Sequence, residues 1–291
     1  MYSLENQYVQ LRVKPEGAEL CSIRKNGIEY LWQADPLFWK RHSPVLFPIV
    51  GSLWEGEFRV EGKSYAMSQH GFARDSVFSL LSQSFDSICF RLCSDERTLK
   101  CFPYPFVLDI SYTLKDSCIE VGWKVENPSD KEIYFQIGAH PAFFYPHFDA
   151  AQKERGYFAF DKKEGLECVR IAQKGCVDAL KRYPLELDEE GLLPLSRDSF
   201  DEVDTLILQD SQLKEVTLLD KEKRPWLGLK FNAPVVGLWS PPGKNAPFIC
   251  IEPWYGRCDS VGYTGDYKGR DWVNALPAHQ SFEASYTIEI Y

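Results

Sequence analysis

The chain has 291 residues, 44% of them hydrophobic and 14% aromatic, enough apolar side chain for a large core and too much for a disordered chain. Its 33 basic and 42 acidic residues leave a net charge of −9 and a pI near 5.2. That balance excludes the broad basic surface that nucleic acid or an anionic membrane requires as a partner.

No apolar run approaches the ~20 residues of a membrane-spanning helix. The opening stretch MYSLENQYVQLRV has no basic segment followed by an apolar one, so no secretory signal is expected. Nine cysteines form no C-x-x-C, and only Cys89, Cys93 and Cys101 lie close together. Zinc sites and disulfide frameworks need tighter spacing. Reduced, mostly buried thiols in a cytoplasmic protein are expected, with no metal site.

In chain order, short strands are expected at Tyr8–Val13, Glu19–Arg24, Val77–Leu81 and Ser87–Leu92. The clearest signal follows. Phe106, Leu108, Ile110, Tyr112 and Leu114 alternate with mostly polar residues, and beyond Lys115-Asp116-Ser117 the alternation resumes at Ile119, Val121, Trp123 and Val125. A period of two on both sides of a short turn predicts an antiparallel hairpin with one buried face. The charged segment 151–203 is poorly patterned and reads as long connections with a few strands. Strands return at Leu206–Leu208 and Glu215–Leu219. The C-terminus alternates again at Phe282, Ala284, Tyr286, Ile288 and Ile290. Convincing amphipathic helices and fixed-period repeats are missing, and 18 prolines and 19 glycines punctuate the chain. The expected fold is all-β, one large antiparallel β-sandwich domain over residues 1–291.

Three stretches are unusual for sandwich strands. In FICIEPWYG, Glu252 follows four apolar residues and is expected near the end of a buried strand. Burial would raise its pKa toward the range of a general base, although a strand-capping carboxylate fits the pattern equally. In GAHPAFF, Pro141 restricts His140 to extended backbone, presenting a ring that can donate at one nitrogen while the other is held. A core histidine bonded to a carbonyl is the other reading. RHSPVLFPIVG is joined downstream by QHGFARD, which brings Gln69, His70 and Arg74 around a glycine turn. These are groups suited to a polyhydroxylated ligand, or to an anion through the arginine fork, while an Arg74–Asp75 pair is the plain alternative. Arg41 and Asp204 alone fit surface roles. His42, His147 and His279 carry no functional argument. Trp239, Trp254, Tyr255 and Phe143 could stack on a sugar or simply pack.

Taken in order, RHSPVLFPIVG, QHGFARD, GAHPAFF and ICIEPWYG resemble the aldose 1-epimerase (mutarotase) family, nearest its LacX-like branch, along almost the whole chain. The resemblance implies the large antiparallel sandwich of that family and a catalytic pair, His140 and Glu252. It implies substrate-binding roles for Arg41, Gln69, Arg74 and Asp204, with His70 as an active-site neighbour. The implied activity is anomer exchange on a small-molecule hexose, with no cofactor. Glu252 would take the C1 hydroxyl proton while His140 protonates the ring oxygen. A non-catalytic carbohydrate-binding protein would not need both residues. A glycoside hydrolase would need two carboxyl groups. His42-Ser43 after Arg41 departs from the glycine-rich spacing of hexose-6-phosphate enzymes, which favours a free sugar over a sugar phosphate.

Overall fold

A computed structural model describes residues 1–291, and the period-two segments are indeed strands. Val107–Lys115 and Cys118–Glu126 pair antiparallel from Val107↔Glu126 to Lys115↔Cys118. Asp116, at φ 54°, makes the reversal between them. The buried face alternates along Cys118–Glu126 as the sequence requires. Ser281–Ile290 lies on the far side of that strand in register Val121↔Tyr286, so its apolar set joins the same core.

These three strands are the middle of a nine-stranded antiparallel sheet that runs from Leu192–Ser196 at one edge to Ser79–Gln83 at the other. A second nine-stranded sheet contains, in order, Cys176–Val177, Glu167–Gln173, Thr205–Leu208, Val235–Trp239, Phe248–Tyr255, Ile137–Ala139 and Val45–Leu46, with Ala142–Phe144 and Tyr183–Pro184 attached. An N-terminal four-stranded sheet, Tyr2–Glu5 to Ile28–Glu29, is tied to the first large sheet where the Tyr112 hydroxyl donates to the Ala18 carbonyl at 2.7 Å. A cluster of 59 buried residues runs from Leu4 to Ile290. Each large apolar side chain fully buried there stabilises the fold by ~1.5–3 kcal/mol.

The expected short strands are present with small shifts of their ends: Gln10–Lys14, Glu19–Lys25, Ser79–Gln83, Ser87–Cys93, and Glu215–Leu219 as read. Segment 151–203 holds more strand than its charge suggested, including Glu154–Phe160, Glu167–Gln173 and Leu192–Ser196. Glu154–Phe160 is sandwiched between Leu192–Ser196 and Glu215–Leu219, so pairing on both sides overrides a weak local pattern. The one α-helix, Glu96–Cys101, is six residues long and starts in a capping box between Asp95 and Thr98. No helix is long and apolar enough to cross a membrane.

Candidate active site

The site begins as a fault in the second sheet. Strand Phe248–Tyr255 pairs with Val235–Trp239 on one side without interruption. On the other side its first residues pair with Ala142–Phe144 (Ala142↔Cys250) and its last with Ile137–Ala139 (Gly138↔Trp254). His140 and Pro141 separate those two short strands. Pro141 has no N–H to give the ladder, and His140 before it is kept extended. Ile251–Pro253 therefore face a gap, and Pro253, also without a donor, falls where none is needed. The His140 backbone N–H is instead held by the Pro44 carbonyl at 3.1 Å. Across the gap, His140 Nε2 lies 3.3 Å from Glu252 Oε2. Two glycines make room for the neighbouring Trp254. A Cβ on Gly237 would come within 2.5 Å of its ring, and one on Gly138 within 2.7 Å.

Glu252 is 1% exposed and His140 7%. Glu252 lies inside its strand and not near the end as the pattern suggested, because the apolar run continues past it through Pro253 and Trp254. Burial, and then the Asp204 carboxylate, push the Glu252 carboxyl well above its ordinary range. Burial, with the Arg74 and Arg41 cations, pulls His140 down to about 3. His70 is held well below its usual value by burial and by His140, Arg74 and Arg41. Its Nδ1 accepts the Gly51 N–H at 3.1 Å, so the neutral ring carries its proton on Nε2. Both directions favour the uncharged forms, a carboxyl that holds its proton beside a neutral imidazole. Neither Glu252 Oε2 nor His140 Nδ1 has a hydrogen-bond partner.

A cavity of about 360 Å³ opens beside this pair, lined by Gln69, His70, Arg74, His140, Asp204 and Glu252 among others. Six of the seven residues picked from the sequence are therefore brought together. Arg41 is the exception. It stands outside the lining and donates to Asp75 Oδ1 at 2.9 Å. Arg74 also reaches Asp75, at 3.7 Å, and donates to the Gln69 carbonyl at 2.7 Å, so the plain Arg74–Asp75 pairing exists alongside its place in the cavity wall. Asp204 takes a left-handed φ of 58° and accepts the Thr205 hydroxyl at 2.7 Å. Among the aromatics, Trp239 and Trp254 line the cavity, whereas Phe143 is wholly buried in the core and Tyr255 packs on Trp123 and Phe282.

Sequence reasoning missed Trp39, Thr205 and Cys258 in the wall. Trp39 stands two residues before Arg41 and Thr205 directly after Asp204, so their proximity to chosen residues was the available signal. Two sets of donors fall within 4.8 Å of one another: His140, Cys250, Glu252 and Glu19, Cys21, His42. The Glu19 carboxylate already accepts the His42 and Ser43 N–H groups at 2.8 and 3.0 Å and pairs with Lys14. The Cys250 thiol is pushed well up by burial and by Glu252, so a metal there would have to displace a tightly held proton.

The family model described as aldose 1-epimerase matches residues 1–265. The chromosomally encoded protein LacX of Lactococcus lactis subsp. lactis is 31% identical over 99% of this chain and 98% of its own length. Among solved structures, a galactose mutarotase-like protein from Lactobacillus casei is 30% identical, covers both chains completely and superposes with a TM-score of 0.93. A galactose mutarotase related enzyme from Lactobacillus acidophilus is 32% identical over 100% of this chain and 97% of its own, with a TM-score of 0.91.

Proposed function

Because the chain belongs to the aldose 1-epimerase family, we propose that it interconverts the α and β anomers of a hexose, with Glu252 and His140 exchanging the protons. The observation that carries this reading is the buried contact of 3.3 Å between His140 Nε2 and Glu252 Oε2 at the wall of a sugar-sized cavity. In this reading one proton moves between the two members of the pair. With the proton on His140, Glu252 is a carboxylate of raised basicity and His140 an acid. Glu252 takes the proton of the C1 hydroxyl, His140 gives its proton to the ring oxygen, the C1–ring oxygen bond breaks and C1 becomes a carbonyl. Rotation about C1–C2 and reversal of both transfers closes the ring on the other face, with no net gain or loss of protons or electrons. Gln69, His70, Arg74 and Asp204 hold the hydroxyls, so the open chain turns without leaving.

A free hexose suits the site better than a sugar phosphate. Arg41 and Arg74 share Asp75, and Asp204 adds an acidic group to the wall. The whole chain acts as one domain, and its nine free cysteines suit the reducing cytoplasm. The test is polarimetry or NMR of freshly dissolved α-glucose, α-galactose and glucose 6-phosphate with the purified protein. Accelerated equilibration of a free sugar is expected. Equilibration at the buffer rate for every sugar tried would leave a carbohydrate-binding role in its place.

A further inference from the structure

His140 lacks the support that usually fixes a reactive imidazole. A histidine that must aim one nitrogen is normally held at the other by a carboxylate or a carbonyl, which sets both tautomer and ring plane. Here Nδ1 is buried with no hydrogen-bond partner, and the groups against the ring are aromatic. The Trp39 indole stacks on it with ring centroids 4.7 Å apart and planes at 29°. Trp239 meets it edge-on at 5.3 Å and 84°, and His70 at 5.5 Å and 83°. Trp39 is itself anchored, although it belongs to no strand. Its N–H donates to the Asp35 carbonyl at 3.0 Å, and its carbonyl accepts the Trp32 indole N–H at 2.8 Å. The Lys244 ammonium donates to the adjacent Phe38 carbonyl at 2.9 Å.

We propose that Trp39 is the positioning residue of His140, its stacked face setting the imidazole plane in place of a hydrogen bond at Nδ1. That the ring is held stands on geometry alone. That holding it serves turnover rests on the anomer-exchange reading above. The competing role is a platform for the sugar, since Trp39 also lines the cavity. The two roles separate kinetically. A platform binds ground state and transition state alike, so its loss raises KM and spares kcat. A positioning residue, when lost, lowers kcat with KM little changed.

The experiment compares wild type, Trp39→Leu, Trp39→Phe and Lys244→Ala, each checked for folding by thermal melt. Ring resonances of His140 are followed by NMR in sugar-free protein, assigned by their absence from His140→Asn. Trp39→Leu is expected to broaden or split the His140 resonance and to lower kcat about 10- to 100-fold, the scale on which a displaced catalytic group loses rate. Trp39→Phe, which keeps a ring face, should restore a single resonance and most of kcat. Lys244→Ala, which loosens the loop and leaves the indole intact, should show a milder form of the same change and carries the test if Trp39→Leu does not fold. A His140 resonance unchanged in every variant overturns the proposal, as does a rise in KM with kcat preserved. A wild type that equilibrates no sugar would sink the enzymatic reading while the NMR comparison still decides what Trp39 does.

Discussion

The Arg270–Asp259 pair and the Glu252–His140 pair are both buried, and they are finished very differently. Arg270 Nε donates to Asp259 Oδ1 at 2.6 Å, its Nη1 to Gln136 Oε1 at 3.0 Å and its Nη2 to the Arg257 carbonyl at 3.3 Å. The second Asp259 oxygen accepts the Trp54 N–H at 2.9 Å. This network ties segment 50–54 to segment 257–271, and every side-chain nitrogen of Arg270 and both carboxylate oxygens of Asp259 have a partner. Glu252 Oε2 and His140 Nδ1 have theirs unmet. Burying a polar group without a partner costs on the order of 1–3 kcal/mol. A fold that meets this cost at one pair and avoids it at the other leaves the first pair with unused hydrogen-bonding capacity. The satisfied pair is structural, and the open one faces the cavity.

The largest effect that can break this contrast is on rate. Glu252→Gln keeps shape and polarity but removes proton acceptance, and loss of a positioned base should lower kcat by roughly 10²- to 10⁴-fold. Melting temperature and sugar affinity should stay near wild type. A variant that equilibrates anomers at the wild-type rate would show that Glu252 is not the base.

The mirror experiment is on stability. Arg270→Met leaves Asp259 buried without its cation, which should cost about 3–5 kcal/mol of unfolding free energy, read from denaturant titration. His140→Asn should do the reverse, losing turnover while stability at neutral pH holds. If Arg270→Met melts like wild type, the two pairs do not differ as their hydrogen bonds say.

Much of this was legible in the sequence, for identifiable reasons. The hairpin around Asp116 and the strand Ser281–Ile290 each bury one face, and that leaves a period of two. His140, Glu252, Gln69, His70 and Arg74 sit in short motifs whose local chemistry is unusual, whereas Asp204 stands out only through the family resemblance. What stayed hidden depends on chain-distant pairing. That a gap in the ladder opens opposite Glu252 follows from the change of partner between Ala142–Phe144 and Ile137–Ala139. No residue near Glu252 records that. The resemblance groups Arg41 with the sugar-binding residues, yet it pairs with Asp75 and stands outside the cavity wall. Trp39 reaches His140 only because a loop of no fixed period is pinned from Trp32 and Lys244.

A smaller effect lies in the dependence of stability on pH, where the two members of the open pair pull in opposite directions. His140 has a folded value of about 3, below its ordinary 6.5. Between those values the unfolded chain binds a proton that the folded chain does not, so stability falls as pH drops through that window. Glu252 is raised above its ordinary 4.5. From there up to its folded value the folded chain holds the extra proton, and stability falls as pH rises. Denaturation midpoints across the acid and neutral range should show a shallower acid slope in His140→Asn, with the part due to His70 remaining. In Glu252→Gln the decline on the alkaline side should lessen. Unchanged slopes in both variants would mean the two groups titrate as if exposed.

The smallest effect concerns the cations, and it separates a free sugar from a sugar phosphate. Arg74 lines the cavity, and burial together with Arg41 lowers it to about 10. Arg41 stands outside the lining and shares Asp75 with Arg74. If Arg74 donates to a hydroxyl, Arg74→Ala removes an ordinary hydrogen bond of ~0.5–1.5 kcal/mol. The expected loss in kcat/KM is then several-fold, similar for glucose, galactose and glucose 6-phosphate, with Arg41→Ala costing less. A gripped phosphate would behave otherwise. A charge-assisted contact is worth ~1.5–3 kcal/mol, so wild type would prefer the phosphorylated sugar and Arg74→Ala would abolish that preference. Ionic strength adds a second reading. The net charge of −9 repels an anionic substrate at long range, and salt screens that repulsion over ~10 Å at 0.1 M. Moderate salt should therefore speed a sugar phosphate relative to glucose if the arginines make no specific grip, and slow it if they do. A wild type that prefers glucose 6-phosphate, slows with added salt and loses that preference in Arg74→Ala would reverse the assignment and make the phosphorylated hexose the substrate.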